Sequence, residues 1–193
     1  MVFFPKMRVI AGKFRSRTLH SIRGLDIRPT SDRLRETLFD VLTAANPDAL
    51  AGSVWIDLFA GTGAVGIEAI SRGAATAYFV ESSRRARQLI DVNLKSLGVS
   101  HGYEVLEKHS LQAIAELEGR EIRADFIFVD PPYRLREAYR KVLEKLADSD
   151  LSRHALVIAE HEKRFDPGSG FGLFERTRKL EQGDAVLSFY RKA

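Results

Sequence analysis

The strongest constraint on the fold is a strand, a glycine turn and a helix start between Val54 and Gly66. A mostly apolar run ends at Phe59, and Gly61, Gly63 and Gly66 then follow with the spacing G-x-G-x-x-G. Glycines at these places allow the backbone to turn sharply and to approach a ligand closely. The stretch therefore predicts an α/β fold that binds a nucleotide cofactor at the end of its first sheet strand.

An acid follows at the distance that such a cofactor requires. Glu81 ends the next predicted strand, Ala77–Glu81, about 20 residues beyond the glycine turn. A carboxylate in this position accepts hydrogen bonds from ribose hydroxyls. The spacing of the glycines and the acid fits either NAD or S-adenosylmethionine.

A second loop separates these two cofactors. The apolar run 126–129 predicts a buried parallel strand, and two prolines stop it at Asp130-Pro131-Pro132-Tyr133. Asp130 and the Pro131 carbonyl are two acceptors suited to a planar exocyclic amine, while Pro132 stiffens the loop and Tyr133 offers a ring for base stacking. Gripping the amine hydrogens favours a pyramidal nitrogen that attacks a methyl group. Hydride transfer has no use for such a clamp, so the loop favours S-adenosylmethionine.

The rest of the chain alternates between strand and helix patterns, which predicts a single α/β domain. An amphipathic helix follows residue 30, with Arg33 and Arg35 off its apolar face. The carboxyl-terminal stretches Gly172–Leu180 and Ala185–Tyr190 predict a hairpin, so we expect a seven-stranded, mostly parallel sheet with an antiparallel last strand. Residues 1–28 form the predicted basic extension, with a small β-hairpin of Met7–Ala11 and Thr18–Ile22 that sits as an appendage. Residues 29–193 form the predicted cofactor-binding domain.

Positive charge is concentrated at the amino terminus. The net charge is +4, yet residues 1–35 contain nine Lys and Arg against two Asp. A solvated basic face is the plain interpretation, and a polyanionic partner is favoured because the same chain has an amine clamp. The absence of Cys excludes disulfides and thiolate chemistry, and the five scattered His show no metal-ligand spacing. No stretch reaches transmembrane length, so we expect a cytoplasmic protein.

Five stretches resemble known methyltransferases. Asp57–Gly63 together with Asp130–Tyr133 is similar to the class I S-adenosylmethionine-dependent amino-methyltransferases. Met7–Arg15, Arg28–Phe39 and Gly183–Tyr190 resemble the bacterial 16S rRNA (guanine-N2)-methyltransferase family of the RsmD type. The resemblance is collinear over nearly the whole chain.

The resemblance implies a Rossmann-like sheet of order 3-2-1-4-5-7-6 and methylation of a guanine N2 amine in 16S rRNA. The substrate would be rRNA in an assembling 30S subunit, the protein a monomer, and no metal would be needed. The implied catalytic residues are Asp130, Pro131, Pro132 and Tyr133. The cofactor residues are Asp57, Phe59, Ala60, Gly61, Thr62, Gly63 and Glu81, together with His109 and Ser110. The RNA-binding residues are Arg8, Lys13, Arg15, Arg17, Arg28 and Arg33.

One position departs from the pattern. Many members of the class have an acid just after the third strand that accepts from the adenine amine, whereas this chain has His109 and Ser110. Adenine contacts there would fall to these side chains or to backbone groups, and an exposed loop histidine is an equally good interpretation of His109.

Three alternative functions remain open from the sequence. A DNA adenine-N6 methyltransferase shares both motifs, although 193 residues leave little room for a target-recognition region. A protein amine or amide methyltransferase would not need the basic terminus. A non-enzymatic RNA-binding protein that retains a cofactor loop is the rival from a different class.

Overall fold

The computed structural model describes residues 7–21 and 30–193, which fold into alternating helices and strands. The helices are α1 Asp32–Thr43, α2 Ala64–Ser71, α3 Arg84–Ser96, α4 Ser110–Gly119 and α5 Arg136–Asp148, with 3-10 helices at Gly12–Phe14 and Asp150–Ser152. The strands are β1 Val54–Asp57, β2 Thr76–Val80, β3 Tyr103–Leu106, β4 Phe126–Val129, β5 Leu156–Glu162, β6 Gly170–Phe171, β7 Phe174–Gln182 and β8 Ala185–Lys192. Within these two ranges, no helix has the length and apolar character needed to cross a membrane.

All eight of these strands form one sheet, in the order 3-2-1-4-5-8-7-6. Strands β1 to β5 pair in parallel, and β8 runs antiparallel to β5. The predicted α/β class and the antiparallel last strand are confirmed. The predicted count of seven is one too low, because Gly170–Phe171 forms a two-residue strand against the start of β7. Without β6, the order matches the predicted 3-2-1-4-5-7-6.

The carboxyl-terminal hairpin is present with shifted bounds. Its first strand begins at Phe174 rather than at Gly172, because Gly172 has φ 54° in the turn that joins β6 to β7. The hairpin loop is Gly183-Asp184, and Gly183 has φ 61°. A positive φ of this kind suits a two-residue hairpin turn and favours glycine.

The sheet has a hydrophobic core on each face. Helices α1, α2 and α3 pack on one face, where Trp55 stacks on Phe39, Phe126 and Phe128 with centroid distances of 5.3, 5.6 and 6.5 Å. Helices α4 and α5 cover the other face. Strands buried on both faces explain the continuous apolar runs in the sequence.

Serine side chains cap the amino-terminal ends of two helices. Ser31 Oγ accepts from Leu34 N at 3.1 Å at the start of α1, and Ser83 Oγ accepts from Ala86 N at 3.4 Å at the start of α3. Each satisfies an N–H group that the helix itself leaves without a partner.

The amino-terminal segment 7–21 pairs with itself only briefly. Arg8 and Thr18 form an isolated antiparallel bridge, and Val9 N donates to Arg17 O at 2.9 Å. The predicted hairpin is thus reduced to a single bridge around the 3-10 helix. The end of its second strand, and the proposed domain boundary at residue 28, lie outside the described residues.

This segment is not an appendage, and that expectation is wrong. Val9 and Leu19 are 1% and 3% exposed and join the core that contains α1 and α2. Buried Glu68 on α2 accepts from Ile10 N at 2.7 Å and Ala11 N at 2.9 Å. Few apolar residues are needed, because polar side chains of the domain fix the segment's backbone.

Gly12 and Arg35 show how closely the segment is packed. A Cβ on Gly12, which has φ 78°, would lie 1.9 Å from the backbone oxygen of Ser71. Arg35 was expected off the apolar face of α1, but it is fully buried and donates to Arg8 O at 2.6 Å and Asp32 at 2.7 Å. The segment covers the face of α1 that would otherwise meet solvent.

Candidate active site

The polar residues singled out in the sequence gather at one edge of the sheet. Asp57 ends β1, while Glu81 and Asp130 directly follow β2 and β4. Since these strands are parallel, their carboxyl ends share an edge, where open α/β sheets bind ligands. A cavity of about 300 Å³ opens there, lined by Thr30, Asp57, Phe59, Ala60, Gly61, Thr62, Ala64, Val65, Phe128 and Asp130. The glycine loop and the amine-clamp loop therefore face a common space.

The glycine loop has the backbone geometry that its sequence indicates. Gly61 and Gly63 have φ of 54° and 80°, in the left-handed region that favours glycine. A Cβ on Gly66 would lie 2.4 Å from the ring of Phe79 on β2. The first two glycines shape the loop, and the third lets α2 pack closely on the sheet.

Glu81 supports this loop as well as facing the cofactor side. Its carboxylate accepts from Gly61 N at 2.9 Å and from Ser83 N at 2.7 Å. A carboxylate has about four acceptor sites, so two remain for hydroxyl donors. Glu81 thus ties the end of β2 to the glycine turn.

A second cavity of about 250 Å³ begins at Glu81. Its lining consists of Leu58, Phe59, Val80, Glu81, Ser82, Lys108, His109 and Ser110. The structure therefore brings His109 and Ser110 to the same space as Glu81. Lys108 is an additional cavity residue that no sequence motif indicates.

Asp57 lies beneath the glycine loop and is 1% exposed. Burial raises its pKa to about 7, and the nearby charges of Glu81 and Glu160 act in the same direction. Hydrogen bonds from the N–H groups of Phe59 and Gly66 oppose the rise in pKa. Desolvation of a carboxylate disfavours its charged form, so Asp57 changes charge near neutral pH.

The amine-clamp loop is fixed from behind by Tyr139 on α5. The Tyr139 hydroxyl donates to Glu160 O at 2.7 Å and lies 3.4 Å from Pro131 O. A hydroxyl has one hydrogen, and its shorter bond goes to Glu160. The Pro131 carbonyl therefore retains capacity to accept from another donor. Asp130 is half-buried at the cavity, and Pro131 is buried.

Thr30 and Glu160 belong to the site but were not found from the sequence. The Thr30 hydroxyl donates to a Glu160 carboxylate oxygen at 2.9 Å, and Glu160 is 3% exposed. Thr30 also lines the cavity that contains Asp57 and Asp130. The only sequence feature that points to Thr30 is its position next to Ser31, the residue that caps α1.

The basic residues of the amino-terminal half are mostly at the surface. Lys13, Arg15 and Arg33 are exposed. Exposed Arg8 lies 3.6 Å from Asp32, and exposed Arg17 donates to Ser96 O at 2.8 Å. Arg28 lies outside the described residues. Within 7–21 and 30–193, the structure has no group of three or more His, Cys, Asp or Glu that could hold a metal.

The strand order, the glycine turn after β1 and the acid after β2 define the class I methyltransferase fold. The chain belongs to the family described as Conserved hypothetical protein 95, which matches residues 7–191. This membership confirms the RsmD-type resemblance.

Individual relatives support the assignment to this family. Ribosomal RNA small subunit methyltransferase D of Escherichia coli K12 is 35% identical over 158 residues, which is 81% of this chain and 75% of the relative. The solved structure of hypothetical protein TTHA0928 from Thermus thermophilus has a TM-score of 0.79 at 25% identity, covering 97% of this chain and 99% of that one. The crystal structure of SMU.776 complexed with SAH shares the fold at a TM-score of 0.66 and 16% identity, covering 93% and 52%.

Proposed function

We propose that this chain transfers a methyl group from S-adenosylmethionine to the exocyclic N2 amine of a guanine in 16S rRNA. The observation that carries the proposal is the cavity in which Asp130 faces the glycine loop and Asp57. The Escherichia coli relative is named for methylation of small-subunit rRNA, and the SMU.776 structure contains SAH. The substrate we propose is rRNA in an assembling 30S subunit, bound by a monomer.

Three residues of the amine-clamp loop have proposed roles in this reaction. S-adenosylmethionine supplies a methyl group on a positively charged sulfur, which departs as a neutral thioether. Asp130 and the Pro131 carbonyl accept the two amine hydrogens, so the nitrogen lone pair points at the methyl carbon. As the N–C bond forms, Asp130 is placed to take the proton that the nitrogen loses. Tyr133 stacks on the guanine ring, and catalysis rests mainly on in-line positioning.

The cofactor residues divide between the two cavities. The cavity lined by Asp57 and the glycine loop is assigned to the methionine part. The cavity at Glu81, His109 and Ser110 is assigned to the ribose and adenine. In both places the donor and acceptor groups present fit the parts of S-adenosylmethionine that they would hold.

Methyl incorporation tests the proposal directly. The purified protein is incubated with tritiated S-adenosylmethionine and either 16S rRNA or 30S subunits from a strain that lacks this modification. Digestion and mass spectrometry should show N2-methylguanosine in RNA. A methyl group on adenine N6 of DNA, or on protein, would identify one of the alternative functions. Cofactor binding without transfer to any of them would contradict an enzymatic role.

The buried acid gives a pH prediction for cofactor binding. Between about pH 5.5 and 7, affinity for S-adenosylmethionine should rise by up to about tenfold per pH unit, because Asp57 must lose its proton to accept the methionine ammonium. For folding, the raised pKa of Asp57 has the opposite consequence. The native state holds this proton between the ordinary pKa of 3.8 and about 7, so its contribution to stability falls as pH rises through that window.

Isothermal titration in two buffers with different ionisation enthalpies measures the proton released on binding. Wild-type protein should release a fraction of a proton at neutral pH. Asp57→Asn should bind more weakly, release fewer protons and show a flatter pH profile. If the folded Asp57→Asn protein shows the same slope of cofactor affinity against pH as wild type, Asp57 does not contact the methionine ammonium.

The basic surface gives a salt-dependence prediction. Lys13→Ala combined with Arg15→Ala should weaken RNA binding and reduce the slope of log K against log salt by about 1.5, since each lost phosphate contact removes about 0.7–0.9. Cofactor affinity should not change. The control is Lys141→Ala, an exposed charge on α5 on the opposite side of the sheet. Filter binding over a salt series measures RNA affinity and its salt dependence. Equal slopes for wild type, the double variant and Lys141→Ala would show that Lys13 and Arg15 are not part of the RNA interface.

A further inference from the structure

An exposed apolar side chain closely follows the amine-clamp loop in the chain. Leu135 is 47% exposed and follows Tyr133 by two residues, so their Cα atoms lie within about 7.6 Å. In the described part of the chain, the other large apolar side chains with such exposure are Val92, Leu111 and Leu173. Leu135 is the one that continues the amine-clamp loop.

The fold gives no reason for a leucine at this position. Leu135 is the N-cap of α5, and its side chain makes no capping hydrogen bond. Ser31 and Ser83 make such bonds at the corresponding positions of α1 and α3. A polar residue at 135 would cap the helix and avoid exposing apolar surface, so both aspects of folding favour a different residue.

The backbone that presents Leu135 is firmly held. Leu135 N donates to Pro132 O at 2.7 Å, which closes a turn directly on the amine-clamp loop. At the start of α5, Arg136 lies 5.2 Å from the Phe165 ring centroid and 3.7 Å from Glu162. The backbone at Leu135 is therefore held by the amine-clamp loop on one side and by the contacts of Arg136 near the end of β5 on the other.

We infer that Leu135 is a wedge that enters the RNA base stack where the target guanine leaves it. The inference rests on the proposed function, because an amine inside a stack cannot reach a methyl donor held in the cavity. Proteins that take a base out of its stack spend free energy on unstacking, and an inserted apolar side chain fills the gap and restores contacts with the neighbouring bases. Exposed Arg134 lies between Tyr133 and Leu135, where its charge suits the adjacent phosphates.

The test compares Leu135→Ser with Leu173→Ser. Leu173 is 61% exposed and lies in the turn before β7. The start of β7 is level with the amino end of β5, so this turn lies at the end of the strands opposite the candidate active site. After the methylated position has been mapped with wild-type protein, 2-aminopurine replaces that base in a 16S rRNA fragment. Fluorescence then reports unstacking, and single-turnover kinetics on the unlabelled fragment report methyl transfer.

Leu135→Ser should lower both the fluorescence gain and the methyl-transfer rate by about tenfold. Its melting temperature should equal or exceed that of wild type, because serine can cap α5, and its affinity for S-adenosylmethionine should match wild type. Leu135→Met keeps an apolar side chain and should retain most of both signals, and Leu173→Ser should behave as wild type. Wild-type behaviour of Leu135→Ser, or a slower reaction with full unstacking, would overturn the wedge. A wild-type protein that methylates no RNA would instead overturn the proposed function and the wedge with it.

Discussion

Asp130→Ala is expected to slow methyl transfer by about 10²–10³-fold, because it removes one preorganised acceptor from the reacting amine. The half-buried carboxylate lines the same cavity as the glycine loop, and the proposed mechanism places it at the reacting nitrogen. Affinity for S-adenosylmethionine and for RNA should change little, since Glu81 and the basic surface are intact. Single-turnover kinetics at saturating cofactor and RNA isolate the chemical step.

Two variants make this result specific to Asp130. Asp130→Asn keeps one acceptor oxygen and should retain more activity than the alanine variant. Asp125 is at the other end of β4 and accepts from Val54 N at 2.8 Å, so Asp125→Ala disturbs the same strand away from the cavity. It should leave the transfer rate near wild type. If Asp130→Ala reacts at the wild-type rate, the amine-clamp mechanism is wrong.

The centre of the site could be predicted from the sequence because its signals are local. The glycine spacing after β1 and the proline loop after β4 each specify their own backbone. Parallel strands then bring Asp57, Glu81 and Asp130 to one edge without any further information. Glu81 was assigned to the ribose, and the structure adds a second task for it, because it also holds the glycine turn.

What the sequence missed depends on contacts between distant residues. Thr30 and Glu160 are 130 positions apart, and neither has a motif that names the other. Arg35 looks like a surface charge on an amphipathic helix until segment 7–21 covers it. Glu68 was the one available clue, since it is an acid in a helix whose other residues are apolar or small. A charge in such a helix requires a partner.

Glu68→Ala should therefore lower the free energy of unfolding by about 3–5 kcal/mol, as expected when one member of a buried charged network is removed. Glu68 is fully buried, accepts from Ile10 N and Ala11 N, and accepts from Arg72 Nε at 2.8 Å. Its loss would leave the two N–H groups and the Arg72 guanidinium without this acceptor. Urea unfolding followed by circular dichroism measures the change.

Hydrogen exchange identifies where that stability is lost. The amides of Ile10 and Ala11 should exchange faster in Glu68→Ala, and Glu68→Gln, which keeps one acceptor, should fall between the variant and wild type. The surface control is Glu137→Ala, which removes an exposed partner of Arg140 and should leave the unfolding midpoint unchanged. Full protection of Ile10 and Ala11 in Glu68→Ala would show that the segment's other contacts, among them those of Val9 and Leu19, hold it without Glu68. If Ile10 and Ala11 instead lose protection, Glu68 anchors the amino-terminal segment to α2, the helix that begins at the glycine loop. Deletion of residues 1–20 would then unfold the domain as well as remove basic surface.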